Sequence, residues 1–381
     1  EIMPSLVGSE MCIRDRSRIL PDGTEKINQK GIEFYQSLVR ELKAAGIEPM
    51  VTLYHWDLPY ALYLQGGWKN PQIPDWFAAY TKIVVEALSD QVQYWMTLNE
   101  PQCFVGIGHL QGRHAPFLDE PASLRPVTRH VLLAHAKAVQ TIRQYAKLPP
   151  KVGYAPTGPV FSPCGDESEA AIAEAYRRTM EVEGCYSISW WCDPVLLGRV
   201  PEPMAKALGA DVFTPQELEL LHQPLDYLGF NVYNACAAQQ PGSEYTANTW
   251  QGSPRTAMEW PITPDCIYWA IRFLNQRYGR PILITENGMA NTDFVMLDGK
   301  VHDPQRIDYV HRHLLAARRA LQEGYPLIGY TYWSIMDNYE WAEGYSKRFG
   351  LIYVDYRTME RIPKDSAAWY AHVIATNGSE L

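Results

Sequence analysis

Two strand-like runs, Tyr94-Trp95-Met96-Thr97-Leu98-Asn99-Glu100 and Ile282-Leu283-Ile284-Thr285-Glu286, decide the fold of this chain. Each run is short, apolar and rich in aromatic or β-branched residues, which is typical of a buried strand. Each run also places a glutamate at the point where the predicted strand ends. The two glutamates are 186 residues apart (286 − 100), so only tertiary structure could bring them into one site.

Strand-like and helix-like segments alternate from Ser17 to the end of the chain. The predicted strands are 49–54, 94–98, 152–155, 227–233, 282–286 and 327–333. The predicted helices are 28–46, 76–88, 130–145, one that begins at 214, 263–279, 303–324 and 365–374. This alternation favours an α/β fold with a parallel sheet and outer helices. A doubly wound sheet and a (β/α)8 barrel both fit it.

Two observations favour the (β/α)8 barrel over the doubly wound sheet. No glycine-rich phosphate loop follows any predicted strand, which argues against a dinucleotide-binding fold. Polar residues also lie at the carboxyl ends of the predicted strands, where barrel enzymes carry their active sites. These residues are His55, Asn99, Glu100, Tyr233, Glu286 and Trp333.

The composition excludes several classes of partner. A net charge of −9 argues against nucleic acid, because phosphate binding needs concentrated Lys and Arg. No apolar run reaches the roughly 18 to 20 residues of a membrane span. The seven cysteines form no C-x-x-C pairs, a pattern typical of free thiols in the cytoplasm. The 12 Trp and 24 Tyr suit a sugar-binding cleft, because pyranose C–H faces pack on aromatic rings.

Paired carboxylates at strand ends are the groups that glycoside hydrolysis requires. One carboxylic acid protonates the leaving oxygen, and a carboxylate on the other face attacks the anomeric carbon or guides water to it. Glu100 and Glu286 are the candidates for this pair. An ionised Glu286 would keep Glu100 protonated by like-charge repulsion until Glu286 is glycosylated.

Seven strings in the order of the chain carry a family resemblance. They are SRILPDG (17–23), YHWDLP (54–59), TLNEP (97–101), LGFNVY (228–233), ITENG (284–288), YWSIMDNYEW (332–341) and RFGLIYVDY (348–356). From Ser17 onward the chain resembles glycoside hydrolase family one, the retaining β-glucosidases. The resemblance implies a (β/α)8 barrel that hydrolyses terminal β-D-glucosyl residues of cello-oligosaccharides or of aryl and alkyl glucosides.

The resemblance also implies roles for individual residues. Glu100 would be the general acid/base and Glu286 the nucleophile, with about 5 to 5.5 Å between their carboxyl groups in a retaining enzyme. His55 would bond a glycone hydroxyl, and Asn99 would hold the 2-hydroxyl. The remaining substrate-binding residues implied are Asn231, Tyr233, Trp333, Glu340 and Trp341.

Four of these residues have more specific implied roles. Tyr233 would bond the nucleophile, and Trp333 would form the platform under the sugar ring. Glu340 and Trp341 would read the 4- and 6-hydroxyls. A carboxylate at Glu340 would repel a phosphate on O6, so phospho-sugars are disfavoured.

The aglycone side departs from the family pattern or stays open. Val232 stands where the family more often has Tyr. Thr157 stands where many relatives have an aglycone-side Asn, so the leaving-group preference is open. Trp250 and Trp260 are candidates for the aglycone entrance, with ordinary packing as the alternative.

Two other functions are alternatives to a dedicated β-glucosidase. A broad β-glucosidase/β-galactosidase/β-fucosidase is one alternative, because their glycone pockets differ little. A non-catalytic sugar-binding relative is the other, although a binder has no physical need for both glutamates. Three histidine pairs, 109/114, 130/135 and 311/313, make no H-E-x-x-H pattern, so we expect no metal and no cofactor.

The N-terminus is unlike the rest of the chain. Residues 6–16, LVGSEMCIRDR, resemble a translated transposase sequencing adapter. We interpret residues 1–16 as a probable artefact and residues 17–381 as an incomplete (β/α)8 glycosidase domain. The family's Q-x-E-G and Y-R-F-S-I-S strings, from its first two strands, have no counterpart here, so those two strands are expected to be missing.

A barrel without two strands would expose strand edges that favour aggregation. We therefore expect the 381-residue chain, expressed as written, to be poorly soluble or inactive. Soluble yield and hydrolysis of an aryl β-glucoside measure this directly, and robust turnover would contradict it.

Overall fold

Strands and helices alternate through the computed structural model, which describes residues 7–8, 11–12, 16–238 and 252–381. The strands are β1 (Val7–Gly8), β2 (Met11–Cys12), β3 (Met50–Tyr54), β4 (Tyr94–Asn99), β5 (Lys151–Ala155), β6 (Val160–Ser162), β7 (Leu228–Asn231), β8 (Ala235–Ala237), β9 (Ile282–Asn287), β10 (Leu327–Tyr332), β11 (Ile352–Val354) and β12 (Arg361–Pro363). The α-helices are α1 (Arg16–Ile19), α2 (Gln29–Ala44), α3 (Tyr60–Tyr63), α4 (Ile73–Leu88), α5 (Leu124–Tyr145), α6 (Glu169–Met180), α7 (Ile188–Leu196), α8 (Glu202–Leu208), α9 (Pro215–Leu221), α10 (Cys266–Tyr278), α11 (Pro304–Gln322) and α12 (Asp365–Ala375).

The chain divides into two units. Unit 1 contains the described residues within 1–9, 159–179 and 230–381, and unit 2 contains those within 10–158 and 180–229. Glu100 belongs to unit 2, and Glu286 belongs to unit 1.

Unit 2 is organised around a parallel sheet with the strand order β2-β3-β4-β5. Every residue of β3 is buried, as expected for a strand covered on both faces. The helix α4 packs against α5 and α2. In the register of the sheet, Tyr54 of β3 lies opposite Leu98 of β4. The residues that follow these two strands therefore emerge at the same sheet edge.

Unit 1 is organised around a second sheet with the order β1-β10-β9-β7. The strands β9 and β10 are parallel, with Leu327 opposite Ile282 and Tyr332 opposite Asn287. The helix α11 packs against both α10 and α12. Parallel β6 and β8 form a small pair, as do antiparallel β11 and β12. The register of β9 and β10 places Glu286 and Trp333 at one sheet edge.

Two predicted helix boundaries are confirmed by their local chemistry. At the start of α9, the Glu217 N–H donates to Thr214 Oγ1 at 3.2 Å, and the Thr214 N–H donates to Glu217 Oε2 at 3.0 Å. This is the predicted capping box. At the end of α10, Gly279 adopts a left-handed φ of 61°, which glycine reaches without steric cost.

Other boundaries differ from the sequence prediction for identifiable reasons. The helix α4 begins at Ile73 rather than Trp76, and α5 begins at Leu124 rather than His130. The first turn of each of these helices contains a proline. A first helical turn tolerates proline, but proline obscures the hydrophobic periodicity from which a helix is predicted. The helix α7 was not predicted, because all nine of its residues are buried and it has no polar face.

Two short strands lie near the N-terminus. Val7 of β1 pairs with Tyr330 of β10, and Met11 of β2 pairs with Val51 of β3. The assignment of residues 1–16 to an artefact and the absence of the family's first two strands stay predictions. Among the residues that the structure describes, no helix has the length and apolar character needed to cross a membrane.

Candidate active site

The strand β4 delivers Glu100 to the sheet edge of unit 2 through a sharp change in backbone direction. The Glu100 N–H still donates to the Ala155 carbonyl at 2.8 Å, as in the sheet. Its φ of 43° is left-handed, a conformation uncommon outside glycine. Its carbonyl then accepts from the Cys103 N–H at 2.9 Å, where the π-helix Gln102–Leu110 begins. Glu100 is therefore fixed, largely buried, between a strand and a helix.

His55 and Asn99 meet at the same edge of unit 2. The distance from His55 Nε2 to Asn99 Nδ2 is 3.2 Å, and both side chains are buried. Because the Asn99 amide nitrogen can only donate, His55 Nε2 accepts in this arrangement, and the ring proton lies on Nδ1. The Trp56 indole N–H donates to the Asn99 carbonyl at 3.1 Å and helps to fix this pair.

Glu286 lies at the corresponding edge of unit 1, next to the string that ends in Tyr233. The Tyr233 hydroxyl donates to Glu286 Oε2 at 2.6 Å. The Val232 N–H donates to the Glu286 carbonyl at 3.0 Å, and Thr285 Oγ1 donates to Asn231 Oδ1 at 2.5 Å. The residues 231–233 and 284–287 are thus joined by both backbone and side chains. Val232, the departure from the family pattern, is buried and takes part through its backbone.

Three further residues support this arrangement and were not found from the sequence. Asn287 donates to the Val232 carbonyl at 2.7 Å and accepts from the Tyr330 hydroxyl at 2.7 Å. The Tyr309 hydroxyl donates to the Tyr233 carbonyl at 2.8 Å. Burial raises the pKa of both Tyr309 and Tyr330 well above the ordinary value, so both remain neutral donors.

Trp333 is held close to the end of β9. The backbone N–H of Trp333 donates to the Asn287 carbonyl at 2.9 Å. A Cβ on Gly288 would lie 2.0 Å from the Trp333 carbonyl oxygen, so only glycine permits this approach of the two strand ends.

Three residues, Thr157, Trp250 and Trp260, are expected on the aglycone side, and the structure describes two of them. The Trp260 ring centroid lies 5.2 Å from that of Tyr233, next to the nucleophile candidate. The Thr157 backbone exchanges two hydrogen bonds with the Gln102 side chain. Trp250 lies outside the described residues. The aglycone role of all three stays a prediction.

Glu340 and Trp341 lie in the segment that follows β10. The Glu340 N–H donates to the Gly344 carbonyl at 2.7 Å and closes a tight turn. Within that turn Trp341 has a left-handed φ of 44°. Both side chains are partly exposed.

Three of the histidines considered as metal ligands, His130, His135 and His313, form hydrogen bonds within the protein. His135 Nδ1 lies 2.6 Å from Thr97 Oγ1, and burial lowers its pKa to about 3, so the ring is neutral. The Nδ1 atoms of His130 and His313 donate to backbone carbonyls. Within the described part of the chain, no group of three or more His, Cys, Asp or Glu is placed to hold a metal ion. The expected absence of a metal stays a prediction.

Comparison with known proteins identifies the family. The family model described as "Glycosyl hydrolase family 1" matches residues 15–379. The chain belongs to glycosyl hydrolase family 1. It is 41% identical over 370 residues to "Beta-glucosidase A" of Thermotoga maritima, covering 95% of this chain and 81% of that protein. It is 39% identical over 371 residues to "Beta-glucosidase A" of Acetivibrio thermocellus, with the same two coverages.

Solved structures give the same result for the fold of this family 1 chain. The β-glucosidase from Thermotoga maritima in complex with glucoimidazole matches with a TM-score of 0.87 and 39% identity. The match covers 98% of this chain and 84% of that one. The predicted (β/α)8 fold class is confirmed by this likeness.

The Gly288 contact predicts the outcome of a one-methyl substitution. In Gly288→Ala the new Cβ collides with the Trp333 carbonyl, so the strand end must shift. We expect a loss of about 1 to 3 kcal/mol in the free energy of unfolding, together with reduced hydrolysis of an aryl β-glucoside. Denaturant titration and steady-state kinetics measure the two effects.

The matched control is Gly299→Ala, where the added Cβ meets open space. Its positive φ of 80° costs stability, but no contact reaches β9 or Trp333, so turnover should be retained. Wild-type turnover in Gly288→Ala would show that the strand ends do not depend on this contact.

Proposed function

We propose that this chain is a retaining β-glucosidase that releases terminal β-D-glucosyl residues from cello-oligosaccharides or aryl and alkyl glucosides. The observation that carries the proposal is the buried Glu286 carboxylate, oriented by the Tyr233 hydroxyl at 2.6 Å. Family membership supports it. So do relatives such as "1,4-beta-D-glucan glucohydrolase" of Thermotoga neapolitana, which is 40% identical over 368 residues.

The proposed reaction has two displacement steps. In the first, an oxygen of Glu286 bonds to the anomeric carbon while the bond to the glycosidic oxygen breaks and Glu100 protonates that oxygen. In the second, Glu100 takes a proton from water, and the water oxygen displaces Glu286 from the same carbon. The configuration is inverted twice and thus retained. The separation of about 5 to 5.5 Å between the two carboxyl groups stays a prediction.

Tyr233 has a defined part in this scheme. Its hydroxyl holds one carboxylate oxygen of Glu286, which fixes the plane of the nucleophile. The Tyr309 hydroxyl in turn anchors the Tyr233 carbonyl. The nucleophile is therefore oriented before substrate arrives, which reduces the cost of reaching the transition state.

The remaining residues would bind the glycone. We propose that His55 and Asn99, which are already hydrogen-bonded to each other, present polar groups to its hydroxyls. Trp333 would stack under the ring, and Glu340 with Trp341 would read the 4- and 6-hydroxyls. Asn231 accepts from Thr285, so we propose that it supports the site through β9.

One relative favours a broader substrate range as the second candidate. The chain is 37% identical over 390 residues to the "Bifunctional beta-D-glucosidase/beta-D-fucosidase" of Bifidobacterium breve. A β-D-fucoside is a 6-deoxygalactoside, so its turnover relative to galactoside reports how strongly the 6-hydroxyl is read, and the turnover of galactoside relative to glucoside reports the 4-hydroxyl. The values of kcat/KM for 4-nitrophenyl β-glucoside, β-galactoside and β-fucoside separate the two candidates.

We further propose that the protein works in a reducing compartment, the cytoplasm. Cys185 and Cys266 are free and buried. Burial raises the pKa of the Cys185 thiol to about 12, so it stays protonated and unreactive.

Azide separates the two carboxylate roles by the stereochemistry of the product. In Glu286→Gly the nucleophile is absent, so azide attacks from its face and should give α-glucosyl azide. In Glu100→Gly, a 2,4-dinitrophenyl β-glucoside can still glycosylate Glu286, because its leaving group needs no proton. Azide then attacks from the opposite face and should give β-glucosyl azide. Proton NMR of the anomeric hydrogen distinguishes the products.

The matched control is Glu360→Gly, which removes an exposed glutamate from unit 1. It should hydrolyse glucosides normally and form no glucosyl azide. The same anomer from both active-site variants would refute the role assignment. No azide product from either folded variant would favour a sugar-binding protein without catalysis.

Removal of the Tyr233 hydroxyl tests the orientation of the nucleophile. Tyr233→Phe loses a hydrogen bond to a charged group, worth about 1.5 to 3 kcal/mol, so kcat should fall by roughly one to two orders of magnitude. The control is Tyr268→Phe, which breaks another Tyr–Glu bond, 2.5 Å from the Tyr268 hydroxyl to Glu323 Oε2. That bond lies between α10 and the end of α11, so kcat should be unchanged. Equal kcat values in the two variants would contradict the role of Tyr233.

A further inference from the structure

Six buried or nearly buried charges form one cluster in unit 1, at the base of the segment that carries Glu340 and Trp341. The Asp337 cluster, as we name it, consists of Asp293, Asp303, Arg306, Asp337, Arg348 and Lys364. Arg348 is 16% exposed, and the other five side chains are at most 1% exposed. Three carboxylates face three cations, so the formal charges cancel. Because apolar side chains in place of such a set often leave stability unchanged or raise it, we infer that the cluster fixes a geometry here.

Asp337 ties the two ends of that segment together. Its Oδ1 accepts from Lys364 Nζ at 2.8 Å and from the Gly350 N–H at 3.0 Å. Its Oδ2 accepts from Arg348 Nη1 at 2.6 Å and from the Val354 N–H at 3.4 Å. One carboxylate near the start of the segment therefore holds three residues at or just beyond its end.

Lys364 and Arg306 connect Asp337 to the helices of unit 1. Lys364 Nζ also donates to Asp293 Oδ2 at 2.5 Å, and Arg306 Nη2 donates to that same oxygen at 2.6 Å. Arg306 lies in the first turn of α11 and also donates to the Arg348 carbonyl at 2.9 Å. Burial lowers the pKa of Lys364, and the charges of Asp293 and Asp337 oppose that effect.

The segment between Asp337 and Arg348 projects toward solvent. Tyr339, Tyr345 and the residues between them are exposed or partly exposed. The turn at 340–344 contains two left-handed residues, Trp341 and Gly344, and is closed by its own backbone bonds. The position of Glu340 and Trp341 therefore depends on how the base of the segment is held.

We propose that Asp337, together with Arg348 and Lys364, positions Glu340 and Trp341 and thereby sets the preference for a glycone that carries a 6-hydroxymethyl group. The inference rests on the proposed function, in which Glu340 and Trp341 read the 4- and 6-hydroxyls. The three cluster residues are positioning residues, because they contact the reading segment and not the sugar. A shift of this segment weakens the 6-hydroxyl contact, which only the glucoside makes, and also the 4-hydroxyl contact, which both sugars share.

The test compares 4-nitrophenyl β-D-glucoside with 4-nitrophenyl β-D-xyloside, which has no 6-hydroxymethyl group. In Asp337→Asn, which removes one charge at nearly constant volume, the glucoside/xyloside ratio of kcat/KM should fall about tenfold or more. The kcat/KM for xyloside should fall by a smaller factor than that for glucoside, because xylose shares the 4-hydroxyl contact but has no 6-hydroxyl contact to lose. The matched control is Asp308→Asn, which breaks an exposed pair with Arg312 on α11 and should leave the ratio unchanged.

A second variant keeps the test decisive if Asp337→Asn fails to fold. Arg348→Lys retains the charge but loses the planar guanidinium that lies 4.0 Å from the Tyr353 ring centroid. It should lower the ratio by a smaller factor. An unchanged ratio in the folded variants, or an equal loss for both substrates, would overturn the proposal.

Binding supplies a measurement that does not depend on turnover. Calorimetric Kd values for 1-deoxynojirimycin and for its analogue without the hydroxymethyl group should converge in Asp337→Asn and Arg348→Lys. A soluble, folded wild-type chain that neither hydrolyses either glycoside nor binds either iminosugar would overturn the proposed function itself. Normal wild-type selectivity that survives in both variants would overturn only the positioning role.

Discussion

Parallel strand register is the constraint on which the rest of this structure depends. Because β3 pairs with β4 so that Tyr54 lies opposite Leu98, the residues after both strands emerge together. The same holds for β9 and β10, where Tyr332 lies opposite Asn287. A one-residue slip in either pairing would turn the alternating side chains to the other face of the sheet. The predicted functional residues therefore depend on pairings made along the full length of buried strands.

Buried polar groups around these strand ends are largely matched to one another. Asn287 accepts from Tyr330 and donates to the Val232 carbonyl, while Tyr309 anchors the Tyr233 carbonyl. An unmatched polar group at such depth would cost free energy, so each hydrogen bond restricts its neighbours to one arrangement. Glu286 receives its Tyr233 bond within a framework that is already fixed. This arrangement explains how the proposed nucleophile can be buried and oriented at the same time.

In the Asp337 cluster, formally charged side chains restrict one another's positions in the same way. Lys364 links Asp293 with Asp337, and Arg348 shares Asp337 with Lys364. Since a buried charge is tolerated when it is paired and hydrogen-bonded, the six members stabilise one another's positions. The segment that carries Glu340 and Trp341 is held at a base of this kind while its tip stays open to solvent. Specific recognition commonly requires that the residues in contact with a ligand be held rigidly by the residues beneath them.

The sequence by itself determined the alternation of strands and helices, the family and the candidate glutamates. It could do so because buried strands are continuous apolar runs, and because Glu100 and Glu286 occupy short strings that recur in the family. It also predicted the Thr214 cap and the Gly279 helix end, which depend on residues only a few positions away. The starts of α4 and α5 were missed because prolines obscure the pattern, and α7 was missed because complete burial hides the helical period. The helices α1, α3, α6 and α8 were missed as well.

Only the tertiary structure decided which distant residues support the site. Tyr309, Tyr330 and Asp337 are separated in sequence from most of their hydrogen-bond partners. No periodic pattern in the sequence distinguishes a buried core tyrosine from one that hydrogen-bonds an asparagine. Gly288 likewise looks like an ordinary turn glycine until the Trp333 carbonyl is seen 2.0 Å from the place its Cβ would occupy. Sequence patterns report local periodicity and burial, whereas hydrogen-bond partners and close approaches are fixed only when the strands and helices pack.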